Sequence, residues 1–269
     1  MMWRVISDKT PLSGAENMAR DEAIFKMVEE GISPPTIRLY RWKPSCISLG
    51  KHQEIEKELN LSSVRSQNID IVKRYTGGRA VLHSNEVTYS VMAKNDVAAW
   101  STKLQETYTE ISSWLVQSMS SLSDELTLEK GELVVKTPRS EVAPACFAST
   151  AKSEIVFSGK KLVGSAQRRT RSAFLQHGSI LVGPEHLEIA KLLKLGEESV
   201  SEYQANLKNN SCSFQEFGID IYSEELQNIL NQGFLKLFGL DENATYLDEE
   251  IVLTEKLKIK HELFSEGLK

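Results

Sequence analysis

The beginning of the chain changes from a helical pattern to a strand pattern. Apolar residues between Ser13 and Gly31 recur at helical spacing, Ser13 and Glu16 have the form of a capping box, and Gly31 is a typical C-terminal stop. Two prolines then break the chain, and residues 36–42 alternate apolar and polar side chains, as a half-buried strand does. With a further strand over 46–49, this part predicts one helix followed by two strands.

The next stretch continues the mixture of strands and helices. Alternating or continuous apolar runs predict strands, and apolar residues at spacings of three and four predict helices. We expect a polar helix over 55–67, a strand over 69–73, a pair of strands over 80–83 and 86–93 around a Ser-Asn turn, a long helix over 102–120, a hairpin over 154–163 and a core strand over 174–182. The pattern predicts an α+β fold with a mixed, mainly antiparallel sheet flanked by helices.

The pattern changes again in the last third of the chain. Residues 185–195 and 223–238 have helical spacing and are separated by a polar stretch over 196–213. We therefore predict a core over 1–183 and a smaller, mainly helical C-terminal segment over 184–269 packed on it. A single continuous domain is the alternative.

Composition and charge are those of an ordinary globular protein. The 269 residues are 41% apolar and 26% charged, and no stretch approaches the roughly 20 apolar residues that a membrane span needs. The N-terminus lacks a basic segment followed by an apolar run, so we expect a cytoplasmic protein without a membrane partner. A net charge of -5 disfavours nucleic acid as the main partner, because that binding depends on neutralising phosphates.

One segment is basic in this acidic chain. Between residues 160 and 171 the sequence places five basic residues, Lys160, Lys161, Arg168, Arg169 and Arg171. Such a patch can receive an acidic protein partner, although a solvated strand face has the same pattern.

Three cysteines, Cys46, Cys146 and Cys212, are spread along the chain without a CxxC pair. This spacing fits neither a disulfide framework nor a zinc site, so each is expected to be a free thiol. A cysteine between apolar neighbours is most often a small buried side chain. We assign Cys46 and Cys212 to that class, whereas Cys146 gains significance from motifs elsewhere in the chain.

The segment from Arg74 to His83 carries the most specific chemical signal, Arg-Tyr-Thr-Gly-Gly-Arg-Ala-Val-Leu-His. The adjacent Gly77 and Gly78 permit backbone conformations and a close approach that other residues block, so amide N–H groups can line an acyl or phosphate group. Alone, the same glycine pair is equally typical of a hairpin turn.

This segment resembles the signature loop of the biotin/lipoate protein ligase and octanoyltransferase superfamily. Three further segments resemble the superfamily in the same order: residues 36–53, Cys146-Phe147 with residues 159–167, and residues 174–181. The resemblance covers roughly residues 1–190, and several motifs in register are far more specific than one glycine pair. It implies the α+β catalytic domain of that superfamily.

Within the superfamily the chain is most similar to the LipM-type octanoyltransferases. The ATP-dependent lipoate ligases usually have a third glycine in place of Arg79, and they do not depend on a cysteine at the position of Cys146. The resemblance implies transfer of octanoyl from octanoyl-acyl carrier protein to the lysine of a lipoyl domain, such as glycine cleavage H protein, in lipoate biosynthesis. It implies no metal, nucleotide or other cofactor. An ATP-dependent ligase, an amidotransferase between lipoyl domains and a non-catalytic binder of acylated carriers stay open.

The resemblance also implies catalytic roles. Cys146 is implied as the acyl-carrying nucleophile, and Lys161, which stands in the lysine position ahead of Gly-Ser-Ala, as its partner. A thiol suits transfer from a thioester, and it needs a cationic neighbour to supply thiolate at neutral pH. Backbone N–H groups around Gly164 and Ser165 are candidates for an oxyanion site. The alternative for Lys161 is an ordinary solvated strand lysine.

Further residues are implied in binding the acyl group or its donor. They are Arg74, Gly77, Gly78, Arg79, Ala80, Val81, His83, Gly164, Ser165 and Ala166. The residues singled out for an apolar slot, which serve equally well as core, are Val81, Tyr89, Val91 and Ala166. We expect His83 to shape the pocket and His177 to be a packed strand residue. Ser84 stands where many members of the superfamily carry an aspartate, so any role of that acid is absent or moved.

Overall fold

The computed structural model describes residues 2–96, 104–129 and 154–266. The strands in these ranges are β1 (Arg4–Ser7), β2 (Thr36–Tyr40), β3 (Cys46–Leu49), β4 (Asp70–Lys73), β5 (Val81–His83), β6 (Glu86–Lys94), β7 (Leu126–Leu128), β8 (Ile155–Phe157), β9 (Lys160–Lys161), β10 (Val163–Arg169) and β11 (Ala173–Leu181). The helices are α1 (Gly14–Glu30), α2 (Ile55–Glu58), α3 (Leu61–Ser66), α4 (Leu104–Ser118), α5 (Ile189–Leu192), α6 (Glu197–Asn210), α7 (Ser223–Phe238) and α8 (Asp248–Glu266). Short 3₁₀ helices cover Pro184–Glu188 and Gln215–Phe217.

The largest sheet has the strand order β1-β2-β6-β11-β10. Its first pair is parallel, and the other neighbouring pairs are antiparallel. A second sheet, β4-β3-β5, contains one parallel and one antiparallel pair, and a third, β7-β8-β9, is antiparallel. The predicted α+β fold with mainly antiparallel strands and flanking helices is confirmed, and its strands are divided among three sheets.

The strands predicted at 80–83 and 86–93 do not pair with each other. β5 pairs with β3, whereas β6 lies between β2 and β11 in the large sheet. Asn85 adopts a positive φ of 47° in the turn, where the chain passes from one sheet to the other. A short polar turn between two strands is typical of a hairpin, but partner strands from elsewhere in the chain decide the pairing.

The first predicted helix is confirmed as α1. The side chain of Ser13 accepts a hydrogen bond from the amide of Glu16 at 3.2 Å, which satisfies one free N–H group at the helix start. Gly31 ends the helix in the left-handed conformation with a φ of 83°. Both boundaries follow from the residues that the sequence pattern identifies.

The polar helix predicted over 55–67 is two short helices, α2 and α3. Leu59 between them is buried and forms an isolated bridge with Leu193, so the backbone leaves the helical path there. Asn60 then begins α3, because its side chain accepts a hydrogen bond from the amide of Ser63. The prediction of a single helix was wrong because Leu59 is buried at a position outside the helical path.

The C-terminal segment is more helical than its pattern predicts. The stretch over 196–213, expected to be a polar separator, contains α6. α8 lies in the segment predicted to be mainly helical, but the sequence pattern did not indicate it as a separate helix. α8 packs along α1 partly through charged groups, since Lys258 pairs with Glu16 and His261 with Glu22. Such contacts leave only a weak apolar period along the helix. None of the described helices is both long and apolar enough to cross a membrane.

One apolar cluster joins the strands to the C-terminal helices. It includes Val5 of β1, Leu39 of β2 and Phe234 of α7, each of them fully buried. Burial of apolar surface at roughly 25 cal/mol per Å² makes this shared cluster a main source of stability. The division of the chain near residue 183 stays a prediction.

β2 is fully buried, although its alternating pattern predicted a half-buried strand. Its polar side chains, Thr36, Arg38 and Tyr40, have no exposed surface, and those of Arg38 and Tyr40 are bonded to α1. Polar groups are stable in such a place when they satisfy one another's hydrogen bonds. The large sheet therefore has a buried polar face beneath α1, and this face forms a wall of the cavity.

Candidate active site

A narrow cavity lies between the large sheet and the β4-β3-β5 sheet, beside α1. It encloses about 350 Å³ of space not filled by atoms, part of which is open to solvent. The lining residues are Met18, Tyr40, Trp42, Ser48, Arg74, Val81, His83, Thr88, Gly164, Ser165, Ala166, His177, Gly178 and Ser179. The two motif segments around Arg74 and Gly164, distant in sequence, thus meet at one cavity.

Arg74 connects the signature loop to the cavity wall. It is 4% exposed, and its Nη2 donates to the carbonyl oxygens of Gly77 at 2.8 Å and Arg79 at 2.7 Å. Its Nη1 donates to the carbonyl of Ser48 at 2.7 Å, and its Nε donates to Thr76 Oγ1 at 3.2 Å. A buried guanidinium with this many acceptors fixes the loop backbone against β3.

His177 forms part of the cavity wall between a hydroxyl and a carboxylate. Its Nε2 lies 2.6 Å from Thr76 Oγ1, and its Nδ1 lies 3.6 Å from Asp21 Oδ2. Burial lowers the pKa of His177 despite the neighbouring carboxylate, so the ring is neutral near pH 7. Burial alone would raise the pKa of Asp21, but Arg38 and His177 outweigh it and hold that pKa below its usual value.

His83, on the β4-β3-β5 sheet, also lies between a hydroxyl and a carboxylate. Its Nε2 lies 2.8 Å from Ser48 Oγ, and its Nδ1 lies 3.2 Å from Glu86 Oε1. The ring stacks on Trp42 with centroids 4.1 Å apart. Thr88 donates a hydrogen bond to the same oxygen of Glu86. The orientation of the His83 ring is therefore fixed by contacts at both nitrogens and on one face.

Arg38 stabilises the polar face behind His177. Its Nη2 donates to Asp8 Oδ2 and to Asn17 Oδ1, both at 2.7 Å, and its Nη1 donates to Asp21 Oδ1 at 2.7 Å. Although burial alone would lower it, the pKa of Arg38 is raised well above its ordinary value by Tyr246 and the two carboxylates. The guanidinium stays charged and balances the negative charge of Asp8 and Asp21.

Ser165 and Gly178 show why small residues are needed beside the cavity. Tyr89 reaches across Gly178 to Ser165, with 2.8 Å between their hydroxyl oxygens, and Gln176 donates to the Tyr89 hydroxyl at 3.0 Å. A Cβ at Gly178 would lie 2.6 Å from both Ser165 Oγ and Tyr89 Cε1. Burial raises the pKa of Tyr89 to about 12, so this phenol is neutral.

Lys161 lies on β9 and is 2% exposed, which differs from an ordinary solvated lysine. Its Nζ lies 2.5 Å from Oε1 of Glu154, the residue before β8. Its backbone carbonyl accepts a hydrogen bond from the amide of Cys212. Lys161 is outside the cavity lining, three residues before Gly164. The predicted hairpin that carries it is confirmed, with Ser158 in its turn at a φ of 47°.

Cys146, the implied nucleophile, lies outside the described residues. The two other cysteines are buried free thiols, as predicted for structural residues. Burial, with a contribution from Asp70, raises the pKa of Cys46 well above its ordinary value, and burial raises the pKa of Cys212 to about 12. Neither thiol supplies thiolate at neutral pH.

The cavity contains some of the residues implied by the resemblance and not others. Those that line it are Arg74, Val81, His83, Gly164, Ser165 and Ala166. Those that lie outside its lining are Gly77, Gly78, Arg79, Ala80 and Lys161, together with Tyr89 and Val91 from the expected slot. The loop residues remain next to the cavity because Arg74 holds their carbonyl groups.

Several wall residues were not singled out from the sequence. They are Met18, Tyr40, Trp42, Ser48, Thr88, Gly178 and Ser179, with Asp21 and Thr76 behind the wall. His177, predicted only as a packed residue, lines the cavity as well. Polar residues recur at alternate positions of β2 and β6, so each strand has one polar face. This recurrence was the signal in the sequence that could have identified the polar wall residues.

The basic segment over 160–171 is not a uniform solvated face. Arg168 lies over the ring of Tyr75 at 3.9 Å and donates to the Tyr75 carbonyl at 3.1 Å, beside the signature loop. Arg169 donates to Thr107 Oγ1 at 2.6 Å and so ties β10 to α4. Arg171 is exposed at the turn between β10 and β11.

The chain matches the family model described as lipoyl protein ligase A/B catalytic domain over residues 13–235. It therefore belongs to this family, and it is an enzyme of the acyltransferase type. Octanoyltransferase LipM of Clostridioides difficile (strain 630) is 36% identical over 261 residues, which cover 96% of this chain and 93% of that protein. Octanoyltransferase LipM of Bacillus subtilis (strain 168) is 36% identical over 240 residues, covering 86% and 84%.

Solved structures show the same fold. Lipoate-protein ligase A bound with ATP is 25% identical with a TM-score of 0.75, and each chain is covered completely. The bi-partite lipoate protein ligase from Thermoplasma acidophilum is 23% identical with a TM-score of 0.78, covering 100% of this chain and 98% of that one. Ligases and octanoyltransferases thus share this architecture, and the chemistry depends on residues placed upon it.

Proposed function

We propose that this protein transfers an octanoyl group from octanoyl-acyl carrier protein to a lysine of a lipoyl domain, such as glycine cleavage H protein, through a thioester on Cys146. The observation that carries the proposal is the meeting of two motif segments, around Arg74 and Gly164, at one cavity. The full-length similarity to proteins named octanoyltransferase LipM supports the same acyl group.

The proposed reaction has two steps that balance without a cofactor. The thiolate of Cys146 attacks the donor carbonyl carbon, a new C–S bond forms, and the C–S bond to the carrier breaks. The carrier leaves as a thiolate and takes up the proton that the Cys146 thiol had released. The neutral amine of the acceptor lysine then attacks, a C–N bond forms, and the bond to Cys146 breaks while the amine proton passes to the sulfur. One thioester is exchanged for another, and the final amide makes the second step downhill.

Lys161 and Gly164 have the supporting roles in this proposal. A lysine ammonium near Cys146 favours the thiolate and then the oxyanion that forms on the acyl carbonyl. The pairing of Lys161 with Glu154 at 2.5 Å supports a charged lysine at this place. Gly164 lies on β10, the outer strand of the large sheet in the described part of the chain, so alternate amides there point away from β11.

The basic residues around the signature loop, two exposed and one half-buried, suit an acidic carrier protein. We define the basic rim as Lys51, Arg79 and Arg168. The amide of Lys51 donates to the Thr76 carbonyl at 2.9 Å, and Arg168 lies on Tyr75, so the three residues surround one loop beside the cavity. Charge complementarity at a rim chiefly raises the association rate. Arg169 of the basic segment over 160–171 is left out of the rim, because it is bonded to α4.

Intact-protein mass spectrometry tests the proposal directly. The protein is mixed with octanoyl-acyl carrier protein and apo H protein without ATP. We expect an octanoyl adduct on this chain, located at Cys146, followed by octanoylated H protein. Cys146→Ala should lose both products, whereas the matched control Cys212→Ala should keep them, since Cys212 is a buried thiol.

Other outcomes would overturn the proposal and indicate a different function. Product formed only with ATP and free acid indicates a ligase, and transfer only from an octanoylated lipoyl domain indicates an amidotransferase. Binding of the donor without any product indicates a non-catalytic carrier binder. Full activity of Cys146→Ala would exclude the thioester.

A further inference from the structure

The cavity walls are built from polar residues, yet they present few polar atoms to its interior. The polar lining residues are Tyr40, Ser48, Arg74, His83, Thr88, Ser165, His177 and Ser179. An apolar acyl chain binds poorly beside hydroxyl or imidazole groups that still need partners, because water must then leave them. How these groups are satisfied therefore decides what the cavity accepts.

The first branch of hydrogen bonds runs from Arg74 to His177, whose Nδ1 then faces Asp21. Arg74 Nε donates to Thr76 Oγ1, whose hydroxyl lies 2.6 Å from His177 Nε2. The Asp21 carboxylate can only accept, so the proton of the neutral His177 ring is on Nδ1 and faces Asp21. His177 Nε2 is then an acceptor, and the Thr76 hydroxyl donates to it.

A second branch repeats the same order from Arg74 to Glu86. Arg74 Nη1 donates to Ser48 Oγ at 3.3 Å, and the Ser48 hydroxyl lies 2.8 Å from His83 Nε2. His83 Nδ1 faces Glu86 Oε1, which fixes the ring proton there. In each branch a hydroxyl stands between the guanidinium and an imidazole, and its single proton is used by the imidazole.

We infer that Ser48 and Thr76 are specificity-determining residues that close the two histidines of the cavity wall to polar groups, so that the cavity favours unsubstituted saturated acyl chains over hydroxylated ones. Their hydroxyls occupy the acceptor nitrogen of each histidine, which would otherwise bind water or a substrate hydroxyl. Arg74 keeps both hydroxyls in place and is a positioning residue. This inference rests on the proposed octanoyl transfer.

Competition between two acyl donors tests the inference. Octanoyl- and 8-hydroxyoctanoyl-acyl carrier protein are mixed, and the ratio of their kcat/KM values is measured from the products on apo H protein. The wild type should prefer octanoyl by roughly 10- to 100-fold, the discrimination expected when a hydroxyl enters a site without partners. Ser48→Ala and Thr76→Val should each reduce that preference by roughly fivefold or more, because a histidine nitrogen becomes available.

Control variants separate specificity from stability. Thr76→Ser keeps the hydroxyl and should keep the wild-type preference. Ser211→Ala removes a hydroxyl that lies 2.8 Å from His186 Nε2, a similar buried pair outside the cavity lining, and should lower stability without changing the preference. A purely structural network would make Ser48→Ala and Thr76→Val behave like Ser211→Ala.

Two results would overturn the inference while the proposed function stands. One is a wild type that transfers both chains equally well. The other is unchanged preference in both Ser48→Ala and Thr76→Val while octanoyl transfer continues. The wild-type measurement needs no variant, so the inference can fail even if a substitution prevents folding. Absence of octanoyl transfer by the wild type would instead contradict the proposed function.

Discussion

His177 Nδ1 lies 3.6 Å from Asp21 Oδ2, and this contact joins a cavity wall on β11 to the helix α1 that covers it. Asp21 also accepts hydrogen bonds from Arg38 at 2.7 Å and from the Tyr40 hydroxyl at 2.9 Å. One buried carboxylate thus sets the proton position on a cavity histidine and balances a buried guanidinium. The polar wall of the cavity therefore depends on the negative charge of Asp21.

Asp21→Asn should destabilise the protein by about 3–5 kcal/mol, because the charge of Arg38 is then only partly balanced by Asp8 in a buried place. Urea unfolding measures the change in the free energy of unfolding. Asp124→Asn on the exposed surface is the matched control and should change it by less than about 0.5 kcal/mol. Equal stability of Asp21→Asn and the wild type would show that the carboxylate charge is unimportant.

His186 should make stability depend on pH. Burial lowers its pKa to about 4, whereas an unfolded histidine titrates near 6.5. The unfolded state therefore binds the proton first as pH falls, so this contribution is intact above about pH 7 and is lost between about 6.5 and 4. The loss amounts to about 3 kcal/mol at pH 4.

Urea unfolding at several pH values between 7 and 4 measures this effect. His186→Gln retains a hydrogen-bonding side chain near Ser211 but has no titrating ring, so its stability should fall less steeply over that range. Parallel pH profiles for His186→Gln and the wild type would assign the slope to other groups.

Gly178→Ala should destabilise the protein by about 1–3 kcal/mol and lower transfer, since the new Cβ would push Tyr89 and Ser165 apart. Thermal unfolding and the rate of octanoyl transfer measure the two effects. Gly77→Ala is the control for stability, because nothing lies within 4 Å of its added Cβ. A Gly178→Ala protein as stable and active as the wild type would mean that the Tyr89–Ser165 contact adjusts without cost.

Charge reversal on the basic rim should weaken the reaction with the acyl carrier. Lys51→Glu with Arg79→Glu should lower kcat/KM for octanoyl-acyl carrier protein by roughly tenfold at low salt and flatten its dependence on ionic strength. Lys256→Glu, on an exposed position of α8, should have little effect. If the rim variant keeps the wild-type rate and salt dependence, the carrier binds elsewhere.

The sequence predicts the parts of the site that depend on local rules. The turn at Ser158 and Gly159 and the two boundaries of α1 follow from residues whose backbone or hydrogen-bonding preferences act over a few positions. The hairpin that carries Lys161 was predicted for this reason. The burial of Lys161 against Glu154 was not predicted, because charge pairing between distant positions has no local signature in the sequence.

The cavity wall could not be predicted in the same way. Tyr40, Thr88 and His177 come from three strands, and their meeting depends on the register of the large sheet. The connection at Asn85 could not be predicted either. The local pattern indicated a hairpin there, whereas the chain passes from the β4-β3-β5 sheet to the large sheet. Long-range pairing decides both features.

The contacts of α8 have a consequence for the order in which the site forms. Hydrogen bonds from His261 and Lys26 outweigh burial and lower the pKa of Glu22 on α1 to about 2, while Arg4 pairs with Glu250. Residues 239 and 246 positions apart are joined in this way. As the chain leaves the ribosome, α1 and the strands emerge long before α8. The cavity beneath α1 therefore gains its outer support only after its wall residues have emerged, and an enzyme made without α8 should have every wall residue but an unsupported wall.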